Sequence, residues 1–542
     1  MAKEQVKWGV STMAMIMAAC LVTLAGDAQA QRGRRESGGG VVEIPVVVTA
    51  RDGAPVRGLT AADFNVSVAG RSTSITAFQA VELLPGSESS QQPLTLVVVV
   101  DVQRLGDAAA SRVTLDHLQR FIREELPPGT MAMVLTQQRG LRVRQDLTDN
   151  LEAAAETLEG LKGEVGEVAL VEAEVRRLQD ALRDQTTPME MQRTYHSIQA
   201  FARDQRAQGV STARNLVNLA DGLASVPGRK VMIYMGEGLT LRPAESLYQA
   251  YEMAVAAQGT RGDFSATMAS EAETTSQEFE NVVRRANSAG VAIFPLVPQG
   301  DGETQAGRHA PGRAHPSTSN EWLSQQAGFV MLADGTGGRI LLGSTDALAA
   351  EERFSSELRF WYVLGFSSDR LVRSYRTLRV QANCAGCTVR APGGIQARPL
   401  EELLQGRLAA ALSLGVGANP WGLAVAAHGN QNAGRRSVEV PLLVSLPLSE
   451  VAFADAGDVH NGHLTFIVGV MDGHGQLSDP ETFELPLAIP AAQFAGALRQ
   501  ALGYPVTLQT QPGRRTVGVL AYDRNSGVSS VATIEVEVMG RP

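Results

Sequence analysis

LTLVVVV, residues 94–100, is apolar but for one Thr, and no polar residue alternates along it. A half-buried strand would alternate, so this run predicts a strand covered on both faces, as in a parallel sheet under helices. It ends on Asp101. Similar short runs recur at Met131–Leu135, Lys230–Tyr234, Val291–Val297, Arg339–Leu342 and Phe360–Phe366. Between them lie helical patterns: Ser111–Leu126, stopped by Pro127-Pro128, then Asn150–Leu161, Glu271–Ala289 ended by Gly290, and Glu321–Leu332. Asp346 caps a further helix running to Leu358. Strands alternating with helices predict an α/β domain over 93–368, its parallel sheet covered on both faces. Leu141–Arg144 reads as an edge hairpin. Residues 164–224 are nearly all helix-forming, broken at Pro188, and read as a helical insert. Mixed charges such as Arg176, Arg177, Asp180, Arg183 and Asp184 suit an exposed helical pair carrying partner contacts.

The flanks change period. Residues 41–92 read as an N-terminal β-module: VVEIPVVVT over 41–49, alternation at Phe64, Val66 and Val68, and turns at Asp52-Gly53 and Gly70-Arg71. PGSESSQQP (85–93) is a linker by composition. Residues 369–398 read as a β-hairpin extension and 399–415 as a helical connector. Residues 416–542 form a C-terminal β-rich domain resembling an antiparallel sandwich. The expected fold is thus an α/β core flanked by β-modules.

The first thirty residues read as a secretory signal. Lys3 and Lys7 precede the uncharged Val10–Ala25, and Asp27-Ala28-Gln29-Ala30 places Ala where a signal peptidase cuts. Cleavage after Ala30 leaves 31–40 (QRGRRESGGG) as a flexible leader. Met17-Ala18-Ala19-Cys20 is a poor lipobox, since the apolar run continues past the Cys. No later stretch is apolar enough to span a bilayer, which places the expected mature chain in the periplasm or outside the cell. The formal net charge of -9 argues against nucleic-acid binding, which needs a basic face. Cys384 and Cys387, as Cys-Ala-Gly-Cys, read as a disulfide hairpin clip in an oxidising compartment. A redox pair would want a helix N-terminus, and zinc two more soft ligands.

Three segments carry a family resemblance. VVVTARDGAPVRGLTAADFNVSVAG (46–70), VPGRKVMIYMGEGL (226–239) and ADGTGGRILLGSTDALAAEERFSSELRFWYVLGF (333–366) resemble, in that order, the VWFA-related domain proteins of acidobacterial type. The resemblance covers 41–395 and implies a Rossmann-like von Willebrand factor A (VWA) sheet. It also implies a Mg²⁺ site of Asp-x-Ser-x-Ser form after the first strand, completed by a Thr and an Asp from later loops. This sequence departs from that pattern. Asp101 holds the first position, but Gln103 and Leu105 stand at the two Ser positions. Gly236-Glu237-Gly238 replaces Ser-Asp-Gly, and Thr136 is a candidate for the Thr. Hard divalent cations need a nearly complete oxygen shell. The expectation is therefore a degenerate metal site, with a rearranged site on Asp101, Gln103 and Glu237 as the alternative.

No chemistry-bearing motif stands out. Gly-x-Ser-x-Gly, His-Glu-x-x-His and a P-loop are all missing from the sequence. Gly415-Val416-Gly417 has no strand before it. Glu124-Glu125 and Glu351-Glu352 are adjacent on helices and point about 100° apart. His460 and His463, near Asp455, Asp458, Asp472 and His474, lie in turn-like sequence, and His309 and His315 in a Gly/Pro-rich loop. The expected function is binding of a protein partner, without catalytic residues or cofactor. A structural component of the cell envelope and an unrecognised hydrolase are the alternatives.

Overall fold

In the computed structural model, six strands form one sheet around the 94–100 run. In chain order they are β1 (Leu94–Asp101), β2 (Met131–Gln137), β3 (Leu141–Thr148), β4 (Arg229–Met235), β5 (Val291–Pro298) and β6 (Leu341–Gly343). The structure describes residues 7–9, 41–83, 94–106, 108–127, 129–138, 140–164, 168–184, 187–224, 226, 228–257, 265–298, 316–343, 347–367, 374–396, 400–415, 417, 419–427, 431–432, 438–473 and 475–539. The described chain divides into two compact units. One comprises 39–220 with 227–397, the other 1–38, 221–226 and 398–542.

The sheet order is β6-β5-β4-β1-β2-β3, parallel throughout except for β3. This is the doubly wound order 3-2-1-4-5-6, in which the winding reverses between β1 and β4. All of β1 is buried. Leu94, Leu96, Val98 and Val100 pack with Leu115 and Leu118 of α1 (Ala108–Arg120) and Leu158 and Leu161 of α2 (Leu151–Leu161). Thr95, Val97 and Val99, of opposite parity, are equally buried, which is why the sequence run shows no alternation. Asn150 starts α2 by accepting the Ala153 N–H at 3.1 Å.

The helical stretch after β3 divides into α3 (Val168–Asp184) and α4 (Pro188–Leu223). It is only partly an insert. The later turns of α4 bury Leu216, Leu219 and Ala220, and Asn215 donates to the Gln137 side chain at the end of β2. That half of α4 is the crossover to β4. The first half packs with α3 and α5 (Glu245–Ala257) around Leu178, Ile198, Leu247 and Tyr248, a separate small core. Three further helices follow: α6 (Ser265–Ala272), α7 (Ser276–Ala289), closed by left-handed Gly290, and α8 (Pro316–Thr336).

Two expectations are corrected in this unit. Phe360–Ser367 is not a strand of the parallel sheet. It lies antiparallel between Val41–Thr49 and Ala77–Glu82 in a second sheet, which Thr388–Arg390 also joins. The strand is buried on both faces: Trp361 and Val363 enter the α/β core, while Phe360, Tyr362, Leu364 and Phe366 fill the β-module core. Double burial makes it read like a parallel strand. Nor are 41–92 and 369–398 separate modules. Phe64–Val68 pairs with Arg376–Ala382, so both ends of the segment build one β-module. The α/β domain is inserted between its neighbouring strands Ala77–Glu82 and Phe360–Ser367. The two crossings are tied by Leu83 N–H to Arg359 O at 2.8 Å.

The second unit is a sandwich. One sheet runs Lys7–Gly9, Ala501–Thr510, Val438–Pro447, Ala424–Ala427, and the other contains Val459–Asp472, Gly513–Asp523 and Ser529–Val538. Their facing residues, among them Val440, Val444, Phe466, Val468, Leu508 and Val519, form the core. Leu400–Leu414 is not a free connector, since Leu404, Leu408 and Leu412 pack on Ile467 and Leu520 of the second sheet. The expected signal-peptide and leader segments lie outside the described residues except for Lys7–Gly9, which pairs with Thr507–Gln509.

Candidate functional site

In an open α/β sheet the natural ligand crevice lies at the carboxyl ends of the strands where the winding reverses. Here that point joins the end of β1 to the end of β4, and it carries Asp101 and Glu237.

The loop after β1 is a single 3₁₀ turn, Val102–Arg104. Such a turn has three residues per turn, so residue i+3 sits above residue i. Arg104 is thereby returned over Asp101, and its Nη1 donates to Asp101 Oδ2 at 3.1 Å. The Asp101 side chain is 2% exposed and that of Arg104 21%. Tyr234 Oη, from the neighbouring β4, donates to the same carboxylate oxygen, and the Gln103 N–H also donates to Asp101. Burial pushes the Asp101 carboxyl up, while the Arg104 charge and these hydrogen bonds pull against it. Burial opposes the charge on Arg104 too, but Asp101 and Tyr234 outweigh it and hold the guanidinium above its usual range. Burial, then Asp101, push Tyr234 well above the usual phenol range, so it stays a donor.

Glu237 is turned to a different task. Its Oε1 accepts the Gly106 N–H at 2.8 Å, and its own N–H donates to Arg104 O at 3.0 Å. Gln326 of α8 donates to Glu237 O at 2.7 Å. A side chain at Gly106 would collide with the Glu237 carboxylate. Gly106 therefore permits the close approach of the two loops.

Each of these positions is engaged by the protein itself. Gln103 donates its backbone N–H to Asp101. Leu105 is 3% exposed and belongs to the α/β core. The Thr136 hydroxyl, fully buried on β2, accepts from Arg144 Nε at 3.0 Å. Asp101 and Glu237 are thus brought to one place, but each is committed to a protein partner. Sequence reading misses Arg104 and Tyr234. The i,i+3 spacing in Asp-Val-Gln-Arg is the available signal for Arg104, whereas Tyr234 is hidden inside an apolar run.

The other candidates make contacts within the protein. Cys384 and Cys387 form a disulfide at the tip between Arg376–Ala382 and Thr388–Arg390. His460 stacks on Phe494 at 3.8 Å, and His463 meets Glu484 at 2.7 Å. Asp455 and Asp472 accept N–H groups within their own turns. His309, His315 and His474 lie outside the described residues. Among the described residues, no three His, Cys, Asp or Glu converge as a metal-ligand group, and no helix is long and apolar enough to cross a membrane.

No family model and no curated protein matches the sequence. Solved structures match in shape only weakly. A von Willebrand factor type A protein from Catenulispora acidiphila is 11% identical, over 85% of this chain and 72% of that one, with a TM-score of 0.24. BatB from Bacteroides thetaiotaomicron is 10% identical over 49% and 97%, with a TM-score of 0.22. Manganese-loaded TRAP protein of Plasmodium vivax is 9% identical over 59% and 98%, with a TM-score of 0.20. A glycoside hydrolase family 2 beta-glucuronidase is 10% identical over 21% of this chain, with a TM-score of 0.15, and the chain spans 11% of its length. At these scores none of the likenesses bears on function.

Proposed function

We propose that this chain is an exported, non-enzymatic protein-interaction protein, built on a VWA-like α/β domain whose switch point is a structural lock. The observation that carries the reading is the Asp101–Arg104–Tyr234 cluster. A catalytic or metal centre at this crevice would need Asp101 free to face substrate or ion, and here its Oδ2 accepts from both Arg104 and Tyr234. The doubly wound strand order and the three sequence segments support the VWA-like assignment, and the charged-apolar-small order of residues 1–30 supports export. With the crevice closed, partner contacts fall to outer surfaces. The helices α3, α4 and α5, which carry the exposed Leu170, Met189 and Met253, are the first to test.

The test is thermal unfolding and calorimetry of the purified protein with Mg²⁺, Mn²⁺ and Ca²⁺, with Asp101→Ala as control. An ion present at a hundred times its dissociation constant would add about 2.7 kcal/mol. The expected result is no shift at millimolar ion. A shift that disappears in Asp101→Ala would overturn the reading of the crevice as a lock.

A further inference from the structure

We propose that the cleft where the inserted α/β domain joins the β-module receives a carboxylate side chain of an acidic peptide segment, and that Arg353 is the group that recognises it. The inference rests on the protein-interaction reading and deepens it by naming the chemistry of one partner contact. The cleft lies apart from Asp101. Arg359 in its lining donates to Glu125 O, at the end of the helical segment that precedes β2, whereas Asp101 stands where β1 ends.

The cleft has a volume of about 470 Å³, a size ordinary for a ligand cleft. Ala54, Pro55 and Leu83 give it an apolar lining, against which the methylenes of an incoming side chain can lie. Its charged lining is mostly committed within the protein. Arg57 donates Nε and Nη2 to Glu82 Oε1 at 3.1 and 2.8 Å. Asp52 Oδ1 accepts the Ala54 N–H at 3.0 Å, and Arg359 Nη2 donates to Glu125 O at 2.9 Å. Arg353 differs: among the described residues its guanidinium has no hydrogen-bond or ion-pair partner. Its stem is nonetheless held in place. Arg353 Cδ lies 3.2 Å from where a Cβ on Gly53 would stand, and Gly53, with φ at 87°, occupies the backbone region that favours glycine. The remaining carboxylate of the lining, Glu352, is adjacent on the helix Ala347–Arg359 and projects about 100° from Arg353. A positioned guanidinium with unshared donors matches a carboxylate, which it can hold by two parallel hydrogen bonds. Arg353 is exposed, so the carboxylate can arrive on a chain that itself stays outside the cleft.

The experiment titrates the full chain into a fluorophore-labelled tetra-glutamate peptide with blocked termini, read by anisotropy at low salt, with the tetra-glutamine peptide as control. Wild type is expected to bind the glutamate peptide at least about tenfold more tightly than the glutamine peptide, and to lose the preference as salt rises. Arg353→Gln is expected to weaken glutamate binding about tenfold with the melting temperature unchanged, because the side chain it replaces is exposed and unpartnered. Arg353→Lys keeps the charge without the fork and should fall between the two. Arg177→Gln, on the helical insert, should leave binding as in wild type. If wild type binds neither peptide, or both alike, the cleft inference fails. If Arg353→Gln binds the glutamate peptide as wild type does, the inference also fails, while the protein-interaction reading stands on another surface. A cation shift that disappears in Asp101→Ala would sink the locked-crevice reading whatever the peptides do.

Discussion

Among the described residues of the α/β unit two carboxylates are buried, and they are satisfied in opposite ways. Asp101 is neutralised locally, by one arginine of its own loop and one tyrosine of the next strand. Glu357, on the helix Ala347–Arg359 and also 2% exposed, gathers charge from distant parts of the chain. Its Oε2 meets Arg390 of the β-module at 2.6 Å and Arg339 before β6 at 3.3 Å. Arg229, at the start of β4, donates to Glu357 O at 2.7 Å and lies over the Trp361 ring at 5.0 Å. Burial lowers Arg229 to about 10. The Asp101 cluster therefore holds one loop in place, whereas the Glu357 cluster ties the inserted domain to the β-module that carries it. A buried charge is weak evidence of net stability, but stripping it from its partners is costly.

The largest effect is expected at Glu357. Glu357→Ala leaves Arg339 and Arg390 without their common carboxylate and should cost about 3–5 kcal/mol in urea unfolding. A loss below about 1 kcal/mol would show that the arginines are solvated and that the joint does not depend on this carboxylate. Tyr234→Phe is the next test. It removes one donor to a charged acceptor and should cost about 1.5–3 kcal/mol, with Arg104 still in place. If Tyr234→Phe cost as much as Glu357→Ala, the two clusters would not differ in reach.

The smallest effect lies outside both clusters. On the sandwich surface, burial raises Glu484, but hydrogen bonds from His463, Thr465 and Arg524 outweigh it and hold the carboxyl below the usual range. A carboxylate lowered on folding stabilises the folded state above its unfolded pKa, about 4.3 for Glu, and the contribution is lost as pH falls through the folded value. The Glu484 side chain is 42% exposed, so Glu484→Gln should cost less than about 1 kcal/mol at pH 7. The difference from wild type should fade below about pH 4. A difference that grew in acid would mean that folding raises this carboxyl instead of lowering it.

These contrasts also mark what can be read from the sequence. The β1 run, the strand–helix alternation and the Gly290 stop are legible because burial on both faces and helix termination are local signals. Phe360–Ser367 is misplaced by such reading because double burial is common to a parallel core strand and to a strand wedged between two cores. The joining of Val41–Thr49 to Thr388–Arg390 links opposite ends of the unit, and no local pattern records it. At the switch point, the poor match of Gln103 and Leu105 to metal ligands is visible. The reason is not: Leu105 is core, and Arg104 pairs with Asp101. The Glu357 cluster escapes entirely, since its arginines come from three separate elements.

The occupant of the switch point can be seen directly in a high-resolution crystal structure grown in excess MnCl₂, with anomalous scattering recorded for the ion. The expected result is Arg104 on Asp101, Tyr234 bonded to the same oxygen, and no anomalous peak beside them. A manganese ion on Asp101, with Arg104 swung away, would contradict the reading of the switch point as a lock.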